Sequence, residues 1–254
     1  MAEHGRYLFA VARGLEAEAL SGVTGLRTAP VDVVEHRGLQ AVVCDVDLAD
    51  FGEEALVRNL EDLAWLEEVA RGHDDVVRAV AGTVAIAPMR LVTICSTDAS
   101  VRDHIEHLYD DLVAVLDRVE GRREWSVKAY AVRASQEPET TPSEEPTTGA
   151  GAAYLQRKRQ EANRRRAASE RSIEVADEIH AELAGHAVAG RRLQPQDPKL
   201  TGRNEPMILN GAYLVGIEDG EAFTAAVSAL AARIDSVTVE VQGPWPPYSF
   251  AVLE

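Results

Sequence analysis

Two cysteines, Cys44 and Cys95, are the only thiols in 254 residues. So few exclude a disulfide framework, and two buried free thiols in a reducing compartment are expected. Aromatic residues make up 5% of the chain, and the stacking pairs that RNA readers place on adjacent strands are missing. Basic residues are outnumbered, with 26 Lys and Arg against 42 Asp and Glu and a net charge of −16. That balance argues against broad binding to a phosphate backbone or an acidic membrane surface. Long apolar runs are also lacking. Tyr7 to Ala12 is too short for a signal-peptide core and follows Glu3, and the window Ala79 to Cys95 is broken by Pro88 and Arg90. The stretch Thr201-Gly202-Arg203-Asn204-Glu205-Pro206 lacks the lysine of a phosphate-binding loop. His180 and His186 lie on or beside a predicted helix that offers no nucleophile. The expectation is a soluble cytoplasmic protein without nucleic-acid or membrane partners.

What is present is strand and helix patterning with clear punctuation. Arg6 to Ala12 reads as a first strand, and Val31 to Glu35 with Leu39 to Val46 as a hairpin turning near His36-Arg37-Gly38. Asp50 and Glu53 make an acidic version of the capping box. The helix predicted from there sets Leu56, Leu60, Leu63, Leu66 and Val69 on one face and stops at Gly72. His73-Asp74-Asp75 then starts a second helix, with acidic residues near the positive end of its dipole, closed by Gly82. After Pro88, Met89 to Cys95 reads as a strand. Thr97 or Asp98 caps the clearest helix, in which Val101, Ile105, Leu108, Leu112, Val115 and Val119 form one apolar stripe ending at Gly121. Trp125 to Arg133 reads as the returning strand.

Residues 134–152 change character. Pro138, Pro142 and Pro146 sit among Glu, Thr and Ser, a composition that cannot bury enough apolar area to offset the entropy of ordering. A flexible linker is predicted there. Tyr154 to about Ala189 reads as a long helix with Ile173, Ala176, Ile179 and Leu183 on one face. Ile208 to Ile217, Asp219 to Ile234 and Ser236 to Gln242 then repeat strand, helix, strand. The predicted class is α+β, with an N-terminal domain over 1–133 and a C-terminal domain with the long helix over 153–254. Each lobe is expected to be a small mixed or antiparallel sheet packed by helices, ferredoxin-like.

Four features are candidates for function. Gly243-Pro244-Trp245-Pro246-Pro247-Tyr248-Ser249-Phe250 lies between the strand-like Val237 to Gln242 and the apolar run Phe250 to Leu253. It reads either as a proline-stiffened hairpin loop whose aromatics cap the core or as a rigid docking site made by Pro244, Trp245, Pro246, Pro247, Tyr248 and Phe250. Trp65, just off the leucine stripe, either widens the core contact or belongs to an interaction surface. Arg157-Lys158-Arg159 and Arg164-Arg165-Arg166 with Arg171 read as a solvated helix face partly paired with Glu161 and Glu170, or as a dock for an acidic partner. His104 and His107 share a helix face with nearby carboxylates but lack a third neutral ligand, so the solvated reading is preferred to a metal site.

Several of these stretches, taken in chain order, resemble the gas vesicle proteins GvpL and GvpF. They are Tyr7-Leu8-Phe9-Ala10-Val11, Asn59-Leu60-Glu61-Asp62-Leu63-Ala64-Trp65-Leu66-Glu67, Ala87-Pro88-Met89-Arg90-Leu91, Gly211-Ala212-Tyr213-Leu214-Val215 and the octet that ends at Phe250. The resemblance implies two α+β domains, no cofactor or catalytic residue, and an accessory or minor structural role in gas vesicle formation. It further implies the hydrophobic shell protein and other gas vesicle accessory proteins as partners, with limitation of shell-protein aggregation during nucleation. The expected location is the gas vesicle and the cytoplasm. The rival readings are a metal-dependent enzyme built on the His104 and His107 helix, and an RNA-binding ferredoxin-like protein.

Overall fold

A computed structural model describes residues 3–132 and 150–251, and its first strand, β1 (His4–Arg13), is buried from Tyr7 to Ala12. Apolar residues in unbroken succession, rather than in alternation, mark a strand covered on both faces. β2 (Val31–His36) and β3 (Leu39–Asp47) form the expected hairpin, and β3 pairs antiparallel with β1. The register slips between Leu8 and Ala10, which lets Tyr7 and Phe9 share a core cluster with Ala10 and Ala12 despite the change of parity.

Helices α1 (Leu48–Phe51), α2 (Glu53–Asn59) and α3 (Leu63–Ala81) follow. The single leucine-striped helix predicted here is broken between α2 and α3, and Leu63 is 79% exposed. Asp62 breaks it, because its carboxylate accepts from the N–H groups of Ala64 and Trp65 and so starts a new helix. Gly72 does not stop α3. A Cβ there would meet the Leu26 side chain at 2.8 Å, so this glycine permits close approach of the loop before β2. His73 therefore lies mid-helix and buried, not at a helix start.

Strands β4 (Ile86–Pro88) and β5 (Ile94–Cys95) both pair antiparallel with β1, giving the order β2-β3-β1-β4 with β5 also on β1. The predicted strand from Met89 to Cys95 survives only at its end. The Met89 N–H still donates to the Phe9 carbonyl and the Leu8 N–H to the Thr93 carbonyl, but Arg90 to Val92 leave the ladder, and Val92 has φ 64°. Thr97 and Ser100 cap α4 (Asp98–His107) reciprocally, and α5 (Tyr109–Val119) follows after a break at Leu108. Val101, Ile105, Leu112, Val115 and Val119 of the predicted stripe are buried. Cys44 is buried and Cys95 half-buried, both free, and burial pushes the Cys44 thiol up to about 11.

The remaining elements are β6 (Arg122–Ala131), α6 (Ala150–Ala184), β7 (Ala189–Arg192), α7 (Pro198–Thr201), β8 (Met207–Gly216), α8 (Gly220–Arg233) and β9 (Val237–Trp245). β6 joins β7, β8 and β9 in a second sheet of order β7-β8-β6-β9 and does not return to the sheet of β5. Near the end of β6, Ala131 N–H donates to the Pro206 carbonyl and Val132 N–H to that of Ser236. The end of β6 thus lies beside the starts of β8 and β9, an antiparallel arrangement. Val127, Ile179, Leu183, Tyr213, Phe223 and Leu230 fill its core. Ile173, placed on the buried face of α6 by the sequence, is 59% exposed. The linker prediction falls outside the described residues except for 150–152, which begin α6.

The architecture is α+β with two antiparallel sheets packed by helices. By contact the chain divides into one unit of Met1–Glu124 with Pro244–Glu254 and another of Trp125–Gly243. The first unit departs from the ferredoxin-like order, since only short 3₁₀ turns stand between β1 and β2.

Candidate functional site

The candidate site is a cleft of about 730 Å³ in the first unit. Four segments line it: Ala70, His73 and Asp74 of α3, Pro88 at the end of β4 with Met89, Arg90, Leu91 and Thr93 of the excursion that follows, His104 and Leu108 near the α4–α5 break, and Tyr248 and Ala251 of the C-terminal turn. The α3 residues fall at spacings of three and four, which puts them on one helix face.

A buried chain of hydrogen bonds fixes the irregular wall. The Val92 N–H donates to the Tyr7 hydroxyl at 3.1 Å, and the Tyr7 oxygen stands 3.0 Å from His73 Nδ1. With its oxygen already accepting, the Tyr7 hydroxyl must donate to Nδ1, or its hydrogen would be buried without a partner. The remaining His73 proton therefore sits on Nε2. Burial pushes the His73 pKa down to about 4 and raises that of Tyr7. Both side chains are thus neutral at pH 7.

Gly243, Pro244 and Trp245 of the octet end β9, the rest forms a clamped turn rather than a hairpin, and no strand follows β9 among the described residues. Tyr248 N–H reaches the Pro246 carbonyl, and the N–H groups of Phe250 and Ala251 both reach that of Pro247. The carboxylate of buried Glu124 accepts from the Ser249 N–H at 2.7 Å and from its hydroxyl at 2.6 Å. The Tyr248 hydroxyl donates to Asp74 at 2.8 Å, and the Arg78 guanidinium, itself paired with Asp74, lies 4.1 Å over the Trp245 ring. Pro246, Pro247 and Phe250 are buried, Pro244 and Tyr248 are exposed, and Trp245 is intermediate.

Trp65 is buried, 8% exposed, against Phe51, and its indole N–H donates to Asp50. Asn59 donates to the same Asp50, so Asn59, Asp62 and Trp65 of the quoted motif tie the α2–α3 junction together. Arg157 and Arg164 lie on the exposed part of α6, where Arg165 pairs with Glu161 and Arg166 with Glu170 at 3.0 Å. His104 lines the cleft while His107 is exposed. Among the described residues no three His, Cys, Asp or Glu side chains gather as a metal site. Sequence reading missed His73, whose signal was its place on the buried face of α3 with Val69, Val76 and Val80.

A family described as "Gas vesicle synthesis protein GvpL/GvpF" matches residues 5–252. Gas vesicle protein L of Streptomyces sp. (strain CB03234) is 36% identical over 247 residues, covering 97% of this chain and 92% of that protein. The chain belongs to the GvpL/GvpF family. Gas vesicle protein L1 of Halobacterium salinarum is 27% identical over 98% of the chain and 90% of that protein. The crystal structure of GvpF from Anabaena sp. PCC7120 shares the fold, with a TM-score of 0.69 at 18% identity over 99% of this chain and 97% of that one. GvpF from Microcystis aeruginosa does so with a TM-score of 0.64 at 18% identity, over 98% and 99%. Membership gives this GvpL/GvpF chain an accessory role in gas vesicles, in association with other gas vesicle proteins. No helix among the described residues is long and apolar enough to cross a membrane.

Proposed function

We propose that this chain binds the hydrophobic shell protein of the gas vesicle and limits its aggregation during nucleation and assembly, acting from the water side without chemistry on its client. The observation that carries this reading is the cleft of the first unit, whose walls are largely Ala70, Pro88, Met89, Leu91, Leu108 and Ala251. An apolar recess of this size takes a few side chains of a partner out of water. Composition supports the soluble side of the role. A gas-facing surface offers no water to solvate charge, and a lone ionised group there costs several kcal/mol or more. A chain with 42 acidic and 26 basic residues cannot turn much of its surface toward gas.

Co-expression with the shell protein tests the proposal. The soluble fraction of the shell protein is expected to rise when this chain is present and to fall back when Met89→Asp places a charge in the cleft wall. An unchanged soluble fraction with the parent chain would sink it.

A further inference from the structure

We propose that the cleft of the first unit selects an apolar segment carrying an acidic side chain, with Arg90 and the His73 Nε2–H receiving the carboxylate. The inference rests on the reading that this chain holds an apolar client, and it names the feature by which the client is recognised.

The polar members of the lining divide into satisfied and unsatisfied groups. Asp74 is already held by Arg78 and by the Tyr248 hydroxyl. His73 is only 4% exposed yet contributes to the lining, and its Nε2–H has no partner among the described residues. Nε2 of His104 is likewise enclosed without a hydrogen-bond partner. Arg90 is exposed at the cleft and makes no side-chain hydrogen bond or ion pair among the described residues. An imidazole N–H of the lining and a positive charge, both lacking an acceptor among the described residues and set among apolar walls, complement one carboxylate on an otherwise apolar segment. Such a segment is an amphipathic helix laid into a groove, with apolar anchors and one acidic neighbour at helical spacing.

The rest of the unit pulls the other way. Residues 1–124 hold 24 Asp and Glu against 12 Lys and Arg, so the long-range field repels a glutamate. A preference for glutamate over glutamine can therefore come only from local groups such as Arg90, which makes the test decisive.

The intact chain is titrated, by fluorescence anisotropy, with a fluorescein-labelled leucine-rich amphipathic peptide carrying one glutamate and with its glutamine twin. The glutamate peptide is expected to bind about tenfold more tightly. Arg90→Gln, a change at an exposed side chain, should erase that preference while circular dichroism and thermal midpoint stay at parent values. Equal affinity for the twins, a preference that survives Arg90→Gln, or no binding of either peptide overturns the inference. Direct binding and client solubility are separate readouts. Solubilisation without glutamate preference sinks only the carboxylate site, and selective peptide binding without solubilisation sinks only the proposed function.

Discussion

Each compact unit buries a tyrosine hydroxyl against a histidine, yet the two pairs are put to different use. In the first, Tyr7 of β1 meets His73 of α3, and in the second, Tyr213 of β8 meets His180 of α6, each with oxygen and nitrogen 3.0 Å apart. Burial raises both phenols and lowers both imidazoles, and for His180 the positive charge of Arg192 adds to the effect. The Tyr7 oxygen also accepts from Val92, so that pair holds an irregular loop against a cleft. Tyr213 instead lies over two glycines. A Cβ on Gly211 would come within 2.7 Å of its ring, and one on Gly190 within 3.3 Å. The same polar contact thus holds a cleft wall in one unit and packs against close glycines in the other, and the client site proposed above belongs to the first.

Acid should separate the two pairs most strongly. The folded His73 pKa of about 4 lies below the ordinary value of 6.5. Between those values the unfolded chain binds a proton that the folded chain refuses, so stability is full above pH 6.5 and is lost as pH falls toward 4. Asp74, the charged neighbour on the same helix, opposes this shift and is already included in it. The expected loss is on the order of 3 kcal/mol, read as a falling urea midpoint between pH 7 and pH 4.5. His73→Gln should flatten most of that slope and His180→Gln less of it. Equal flattening by the two variants would break the comparison.

Next in size is Gly211→Ala, expected to cost about 2 kcal/mol because the ring of Tyr213 must move or the strand must bend. A thermal melt that does not shift would show that the second core has slack. Removing the hydroxyls gives a smaller and more telling contrast. Tyr7→Phe strands two partners, the Val92 N–H and His73 Nδ1, and is expected to cost roughly 2 kcal/mol. Tyr213→Phe strands one and is expected to cost about 1 kcal/mol. Hydrogen exchange should show the Val92 amide opening in Tyr7→Phe while the second unit is unchanged.

How far the sequence alone reaches follows from which signals are local. The hairpin Val31–His36 with Leu39–Asp47, the Thr97 cap and the stripe from Val101 to Val119 are written in neighbouring residues, and they appear where periodicity and capping put them, except that the striped helix breaks at Leu108. Gly72 was misleading because its reason is a contact with Leu26, far away in the chain. The break at Asp62 was hidden by leucines at helical spacing, two of which, Leu60 and Leu63, are exposed. The cleft was legible only in pieces. Pro88 to Leu91 and the octet stood out as motifs, but nothing local says that Tyr248 and His73 share a wall, nor that a hydroxyl from β1 steers the loop at Val92.

The smallest effect bears on the basic face of α6. Arg165 and Arg166 pair with Glu161 and Glu170 four residues away, all largely exposed. Such pairs are worth a few tenths of a kcal/mol, so alanine at either arginine should move the thermal midpoint very little. The informative change is in sign. If this stretch only solvates a helix, Arg157→Glu with Arg164→Glu leaves the soluble fraction of a co-expressed shell protein at the parent level, because two of the seven basic residues from 157 to 171 are lost without touching any packed side chain. If the stretch docks an acidic partner, reversing two charges turns attraction into repulsion and the soluble fraction drops. The drop would assign client contact to the second unit as well, and the division of labour drawn from the two tyrosines would no longer hold.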